Sequence, residues 1–303
     1  MKKVMITGAN GLLGQKLIDL YLTKTNKKII ATGVGPCRHP GRDQFEYAEL
    51  DISDAENVDL VFSKYRPDAL IHTAAMTNVD ACETDHESCD RLNVYAVGLL
   101  ADACKLNGTH MIHLSTDFIF DGTHGPVDEN EAANPLSYYG HSKLKGENLV
   151  KERAGRWAIL RTVLVYGVVN DMSRSNIVLW AKGALEKGQQ IKVVDDQYRT
   201  PTLAEDLANG CFLAEDKVAL GIYNISGKDF MSIYELVERI ADYYKLDKTG
   251  LTRSDSGTLN QAAKRPPITG FIIDKARNEL GYEPHTFEEG LEIVKQQLTR
   301  AQR

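Results

Sequence analysis

Three glycines near the start of the chain constrain its fold more than any other feature. The apolar run Val4-Met5-Ile6 is followed by Gly8, Gly11 and Gly14, and a helical pattern begins after them. This order predicts a strand, a tight turn and a helix, because the first glycine permits the turn, the second admits a phosphate close to the backbone, and the third lets the helix lie against the strand. Phosphate oxygens would meet the positive end of that helix. The GxxGxxG spacing is one residue longer than the dinucleotide fingerprint GxGxxG, and an ordinary tight turn stays open as an alternative.

Length and charge narrow the class of protein. The chain has 303 residues and a formal net charge of -6, which allows a large core and argues against a broad basic surface for nucleic acid. Met1-Lys2-Lys3 leads directly into the first strand, and no apolar run approaches the ~20 residues of a membrane span. We therefore expect a cytoplasmic protein that binds neither nucleic acid nor membrane.

The cysteines indicate reduced thiols. They are odd in number and show no CxxC pairing, which disfavours a disulfide framework or a zinc site. The five are Cys37, Cys82, Cys89, Cys104 and Cys211. No metal site is predicted.

Strand and helix patterns alternate through the first half of the chain. They predict an α/β fold built on a Rossmann-type doubly wound parallel sheet. The predicted strands span 28–34, 45–50, 68–75, 110–116 and 157–166, and the predicted helices span 12–25, 55–65, 87–106 and a stretch after 135. The period is lost beyond residue 166, where we predict helices over 173–187, 203–215, 233–246 and 286–300, a strand over 221–225 and a loop over 255–270. Residues 1–166 are thus predicted to form the dinucleotide domain, and 167–303 mainly a smaller α/β substrate lobe with segments that return to the first domain.

Residues at the carboxyl ends of the predicted strands are candidates for cofactor binding. The second strand runs into Arg38 without an acidic residue, which favours the 2′-phosphate of NADP over the ribose hydroxyl of NAD, although a solvated Arg38 remains possible. The predicted cofactor-binding set is Gly8, Asn10, Gly11, Leu12, Leu13, Gly14, Arg38, Asp51, Ile52, Thr73, Ala74, Ala75, Thr77, Tyr139 and Lys143.

Two further segments carry candidate catalytic groups. Thr116 and Asp117 end a predicted buried strand, and Tyr139 and Lys143 lie four residues apart, on one face of a helix. A lysine ammonium near a phenol lowers the phenol pKa from about 10, which makes it a usable proton donor or acceptor. The predicted catalytic residues are Thr116, Tyr139 and Lys143.

The chain resembles the extended short-chain dehydrogenase/reductases in the order of four motifs. They are the glycine turn, Asp51-Ile52, Ser115-Thr116-Asp117 and Tyr139-x-x-x-Lys143. Further segments are similar to the dTDP-4-dehydrorhamnose reductase family. These are Leu114-Ser-Thr-Asp-Phe-Ile-Phe-Asp-Gly122, Val193-Val-Asp-Asp-Gln197, Pro201-Thr202 and Arg265-Pro266.

The resemblance implies reduction of the C4 ketone of a nucleotide-linked sugar with NADPH, and it allows a homodimer. Tyr139 would donate the proton, Lys143 would tune Tyr139 and hold the nicotinamide ribose, and Thr116 would donate a hydrogen bond to the carbonyl. The implied substrate-binding set is Thr116, Asp117, Leu164, Arg199 and Arg265. Leu164 replaces a tryptophan common in the family. Arg199 replaces a glycine, and either grips a substrate phosphate or is a solvated loop residue.

Other functions stay open. A nucleotide-sugar epimerase needs the same tyrosine and lysine with a retained NAD, whereas dehydratases usually have glutamate where Phe118 follows Asp117. A third alternative is a non-catalytic NADP-binding subunit like the regulatory subunit of methionine adenosyltransferase. The segment Gln197-Tyr-Arg-Thr-Pro-Thr202, with its arginine, is also similar to that subunit.

Overall fold

The computed structural model describes residues 1–170, 175–258 and 261–301. Its strands are short and follow the predicted order in the first half of the chain. They are β1 Lys3–Thr7, β2 Lys28–Gly33, β3 Glu46–Glu49, β4 Ala69–His72, β5 His110–Thr116, β6 Arg156–Thr162, β7 Val165–Tyr166, β8 Ile191–Val194, β9 Tyr198–Arg199, β10 Thr202–Leu203, β11 Gly221–Asn224, β12 Met231–Ser232 and β13 Leu251–Ser254.

The helices fill the connections between these strands. They are α1 Leu12–Lys24, α2 Ala55–Tyr65, α3 Val79–Thr84, α4 His86–Asp90, α5 Ala96–Asn107, α6 Tyr138–Arg153, α7 Ile177–Glu186, α8 Ala204–Asp216, α9 Ile233–Tyr244 and α10 Phe287–Ala301. None of the helices in the described ranges is long and apolar enough to cross a membrane.

One seven-stranded sheet organises the molecule, in the order β11-β6-β5-β4-β1-β2-β3. All of its neighbouring strands are parallel. The chain proceeds from β1 outwards through β2 and β3, then returns to β4 on the other side of β1. Because ligands of open α/β sheets bind where the strand order reverses, the carboxyl ends of β1 and β4 mark the expected site.

Alternate residues of β1 enter different cores. Val4 and Ile6 pack in one cluster with α1 and α8, whereas Met5 packs in a second cluster with α2 and α5. A strand covered on both faces needs apolar residues at every position, which is what Val4-Met5-Ile6 supplies. The predicted Rossmann-type doubly wound parallel sheet is therefore confirmed.

A third core forms in the second half of the chain, among α7, α9 and α10. Three two-stranded sheets accompany it, β7 with β10, β8 with β13, and β9 with β12. Strand β11 returns to the edge of the main sheet beside β6. The division at residue 166 stays a prediction. The predicted helix start at Ser173, and Leu259 and Asn260 of the predicted loop, lie outside the described residues.

Two predicted elements are interrupted in the structure, and the strand predicted over 68–75 ends earlier, at His72. The single strand predicted over 157–166 is wrong, because it breaks between β6 and β7 at Leu164, whose φ of 39° lies in the left-handed region. The helix predicted over 87–106 contains a π turn, Arg91–Tyr95, between α4 and α5. Within it, the Asn93 amide donates to the Met76 carbonyl (3.0 Å) and accepts from the Met76 N–H (2.9 Å). The π turn thus presents Asn93 to the loop after β4 and anchors it.

Candidate cofactor and catalytic site

A cavity of about 620 Å³ opens at the carboxyl ends of the parallel strands. This volume lies within the range of small-molecule and cofactor sites. The predicted residues that line it are Gly8, Asn10, Gly11, Leu12, Leu13, Arg38, Asp51, Ile52, Thr73, Ala74, Ala75, Thr77, Thr116, Asp117, Tyr139, Lys143 and Leu164. Residues far apart in the sequence therefore meet in one cavity, while Gly14, Arg199 and Arg265 lie outside its lining.

The glycine turn forms one part of the cavity wall. Gly8 has φ 67°, and a Cβ added there would lie 2.8 Å from the Ala74 nitrogen. Gly11 precedes α1, and no side chain in the described part of the chain caps that helix. The first turn of α1 also has no acidic residue. Its N–H groups are thus available to an anion in the cavity.

Gly14 lies beneath the turn. A Cβ at Gly14 would stand 2.3 Å from the Gly8 oxygen and 2.7 Å from the Ala9 Cα. Gly14 thus lets α1 pack against the turn, and its place in cofactor binding stays a prediction.

Asn10 organises the loop that carries Arg38. Its Oδ1 accepts a hydrogen bond from the Arg38 N–H (2.8 Å), and its Nδ2 donates to the Pro36 carbonyl (3.0 Å) and to the Tyr47 hydroxyl (3.2 Å). The loop after β2 is thereby tied to the glycine turn. Arg38 lies at the cavity wall at this point, where a 2′-phosphate on an adenosine ribose would need a cation.

Asp51 and the end of β4 form the next part of the wall. The Asp51 carboxylate accepts hydrogen bonds from the Ser53 hydroxyl (2.7 Å) and N–H (2.9 Å), which lower its pKa. At the end of β4, the Thr73 N–H donates to the Thr7 hydroxyl (3.2 Å), and the Thr73 hydroxyl donates to the Thr7 carbonyl (2.7 Å). The small residues after Thr73 leave room over the strand end.

Tyr139 and Lys143 lie on the inner face of α6, which the Ser137 side chain caps through the Gly140 N–H. Both are buried, at 8% and 4% exposure. The Lys143 ammonium donates to the Leu114 carbonyl (2.7 Å), and burial lowers its pKa to about 8. The expected lowering of the Tyr139 pKa by Lys143 is wrong in this structure. Burial raises the Tyr139 pKa, and the Asp117 carboxylate adds to the increase.

Thr116 ends β5 between Tyr139 and Asp117. Its hydroxyl donates to Asp117 Oδ1 (3.1 Å) and accepts from the Phe118 N–H (3.2 Å). A threonine hydroxyl has one proton, so while Asp117 is ionised Thr116 offers an acceptor to the cavity. This differs from the role implied by the resemblance, in which Thr116 donates to a carbonyl.

The two arginines of the predicted substrate-binding set both contact protein oxygens in this structure. Arg199 is 3% exposed, so it is not a solvated loop residue, and its guanidinium contacts protein oxygens behind Asp117. Arg265 forms a bidentate pair with Asp80, at 2.7 and 3.2 Å, in the first turn of α3. Leu164, which also belongs to the predicted substrate-binding set, does line the cavity, at the break between β6 and β7.

His72 is a cavity residue that the sequence reasoning missed. Its Nδ1 lies 2.8 Å from the Thr7 hydroxyl, and its ring stacks on His113 with the centroids 5.3 Å apart. Burial lowers the His72 pKa to about 3, so the ring is neutral. The available signal was the histidines in the two neighbouring buried strands, one in β4 and two in β5. Among the described residues no cluster of three or more metal-ligating side chains occurs.

The structure has a parallel sheet with a glycine turn at its switch point, and a buried tyrosine and lysine one helical turn apart. This is the fold of the extended short-chain dehydrogenase/reductases. The family model for the RmlD substrate binding domain matches residues 1–300, and the chain belongs to that family.

Three relatives illustrate the similarity. The methionine adenosyltransferase 2 subunit beta of Danio rerio is 31% identical over 88% of this chain and 81% of its own length. The dTDP-4-dehydrorhamnose reductase of Aggregatibacter actinomycetemcomitans is 28% identical over 97% of this chain and 99% of its own. The solved dTDP-4-dehydrorhamnose reductase of Bacillus anthracis, in complex with NADP, superimposes with a TM-score of 0.84 at 28% identity, over 97% of this chain and 99% of that one.

Proposed function

We propose that the protein is an NADP-dependent reductase that converts the 4-keto group of a nucleotide-activated sugar to an alcohol. The observation that carries the proposal is the burial of Thr116, Tyr139 and Lys143 together, in the cavity that begins at the glycine turn. A relative at 28% identity is a dTDP-4-dehydrorhamnose reductase. The proposal extends to a substrate of the same chemical class.

The residues present fit a dinucleotide. Gly8 and Gly11 keep side chains out of the turn, and the uncapped start of α1 offers N–H groups to a diphosphate. Arg38 at the wall and the absence of an acidic residue between Gly33 and Arg38 favour NADP over NAD. The NADP in the Bacillus anthracis reductase agrees with this preference.

Tyr139 is the proposed proton donor. A reductase needs a donor that is protonated before the reaction, and burial together with Asp117 holds the Tyr139 pKa above its usual value. When bound, the reduced nicotinamide supplies the hydride. Tyr139 then delivers its proton to the oxygen that gains charge.

Lys143 and Thr116 have supporting roles in this proposal. The Lys143 ammonium already donates to the Leu114 carbonyl, and its remaining protons are available to a ribose hydroxyl. Thr116, whose proton goes to Asp117, accepts a hydrogen bond from a sugar hydroxyl beside the ketone. This contact orients the ketone towards Tyr139.

A second candidate is a regulatory NADP-binding subunit, which the 31% identity to the Danio rerio beta subunit favours. An epimerase is a third, since it would use the same tyrosine and lysine. Oxidation of NADPH in the presence of a panel of 4-keto nucleotide sugars separates the three. We expect turnover of at least one panel member. Tight NADP binding without any turnover would favour the regulatory subunit, and interconversion of sugar epimers without net NADPH consumption would favour the epimerase. The homodimer stays a prediction for sedimentation to test.

A further inference from the structure

Arg199 has no part in the chemistry proposed above, yet it is almost wholly buried, at 3% exposure. Its Nη1 donates to the carbonyls of Tyr198 (2.7 Å) and Pro267 (3.1 Å), and its Nη2 donates to the Pro266 carbonyl (2.7 Å). Nη2 also lies 3.4 Å from the Gln197 amide oxygen. The carbonyl contacts satisfy donors but do not neutralise the charge, so the cation needs a buried anion.

Asp117 is that anion. Its Oδ2 lies 3.8 Å from Arg199 Nε, and Asp117 is itself 2% exposed. Burial raises the Asp117 pKa, and among the groups that lower it Arg199 has the largest effect, ahead of the Thr269 and Thr116 hydroxyls. In the described part of the chain, the other ionisable groups that interact with this pair are Tyr139, beside Asp117, and Arg265, beside Arg199.

The same guanidinium holds a segment of chain against the active site. Residues 266–270 run between β9 and Gly122. The Tyr198 N–H donates to the Pro267 carbonyl (2.8 Å), and the Ile268 N–H donates to the Gly122 carbonyl (3.2 Å). The Thr269 hydroxyl from this segment donates to Asp117. Arg199 therefore contacts both the segment and the carboxylate that the segment covers.

We propose that Arg199 is a positioning residue: its guanidinium keeps the buried Asp117 carboxylate ionised and ties it to residues 266–270, so that Asp117 holds the Thr116 hydroxyl in the orientation that receives substrate. This inference rests on the proposed reductase function. Without the cation, Asp117 takes up a proton and can donate to Thr116 instead of accepting from it. The Thr116 hydroxyl then turns, and the sugar hydroxyl loses its acceptor beside Tyr139.

The counter-charge is tested without any substrate. Urea unfolding would be measured from about pH 5 to about pH 8 for the wild type and two variants. The single variant is Arg199→Met, and the double variant combines Arg199→Met with Asp117→Asn. In Arg199→Met the folded state retains the Asp117 proton to higher pH than the unfolded state does. The ratio of its unfolding constant to that of the wild type therefore rises with pH, by up to about tenfold per pH unit. In the double variant that ratio does not depend on pH.

A pH-independent ratio for Arg199→Met would overturn the proposal. If Arg199→Met does not fold near neutral pH, the double variant decides. We expect it to fold, because removing both buried charges leaves none unpaired. A double variant that is as unstable as the single one would show that Arg199 acts through its carbonyl contacts alone.

The positioning role is tested by turnover of the 4-keto nucleotide sugar that the wild type reduces. Arg199→Met should shift the acidic limb of the kcat/KM profile upwards by about 1 to 3 pH units. Arg199→Lys, which retains the charge, should restore the profile towards that of the wild type. Arg239→Ala removes a partly buried arginine that pairs with Glu288 and lies outside the cavity lining, and it should leave the profile unchanged. If the Arg199→Met profile has the same pH dependence as the wild type, the positioning role of Arg199 is refuted. If the wild type shows no turnover, the reductase function is refuted, and the unfolding experiment alone then tests whether Arg199 is the counter-charge of Asp117.

Discussion

Replacing Gly14 with alanine should damage the turn on which the dinucleotide site depends. A Cβ at this position would lie 2.3 Å from the Gly8 oxygen, 2.7 Å from the Ala9 Cα and 2.9 Å from the Gly8 carbonyl carbon. All three are backbone atoms, so the turn must move. Such overpacking costs about 1 to 3 kcal/mol. The greater helix propensity of alanine returns about 0.5 to 1 kcal/mol. We therefore expect a net loss of about 1 to 2 kcal/mol in the free energy of unfolding.

Gly183 supplies a matched control. It lies within α7, and no atom falls within 4 Å of an added Cβ. Gly183→Ala should thus gain about 0.5 to 1 kcal/mol from helix propensity alone. Urea unfolding measures both variants, and titration with NADPH should show weaker binding only for Gly14→Ala. Equal stabilities of the two variants, with NADPH affinity intact in both, would refute the packing argument at the turn.

Three further predictions concern charged groups. Arg38→Ala should weaken NADPH binding by about tenfold or more, since a charge-assisted hydrogen bond contributes about 1.5 to 3 kcal/mol, while NADH binding changes little. Equal losses for both nucleotides, measured by fluorescence titration, would remove Arg38 from the 2′-phosphate. Because the pKa of Lys143 is lowered to about 8, its ammonium loses its proton as pH rises through that value, and the reductase rate should fall there. A rate that stays flat well above that pH would contradict the need for a Lys143 cation. Glu147→Gln should destabilise the fold by about 3 to 5 kcal/mol, because it leaves the buried Arg161 cation without its bidentate partner. Denaturant unfolding checks this, and a loss below about 1 kcal/mol would mean that the buried pair tolerates neutralisation.

The sequence predicted the main sheet because strands buried on both faces have a simple signature. Val4-Met5-Ile6 is apolar at every position, and both of its faces are covered. Most predicted cavity residues lie at the carboxyl ends of such strands, where the topology of a parallel sheet brings them together. Backbone geometry was harder to foresee. Leu164 has a left-handed backbone conformation, which the identity of the residue does not predict. No sequence pattern predicted the π turn at Asn93 either.

The contacts of long side chains were the hardest part of the site to predict. Arg199 follows a polar segment, and a polar segment is normally solvated, so the sequence favoured exposure or a ligand contact. Its burial depends on Asp117, more than 80 residues away, and on the carbonyls of residues 266–267, which only the folded chain brings near. Arg265 likewise pairs with Asp80, in the first turn of α3. Local patterns carry no information about such partners.

Comparison of Tyr139→Phe with Tyr138→Phe tests the central claim most directly. The two tyrosines are adjacent, but the Tyr138 hydroxyl donates to Asp90 (2.8 Å) and Tyr138 lies outside the cavity lining. NADPH affinity and NADPH oxidation with a 4-keto nucleotide sugar would be measured on the same preparations. We predict that Tyr139→Phe binds NADPH like the wild type and loses turnover, by about a hundredfold or more for a missing general acid, while Tyr138→Phe keeps both. Full turnover by Tyr139→Phe would contradict the assignment of Tyr139 as the proton donor.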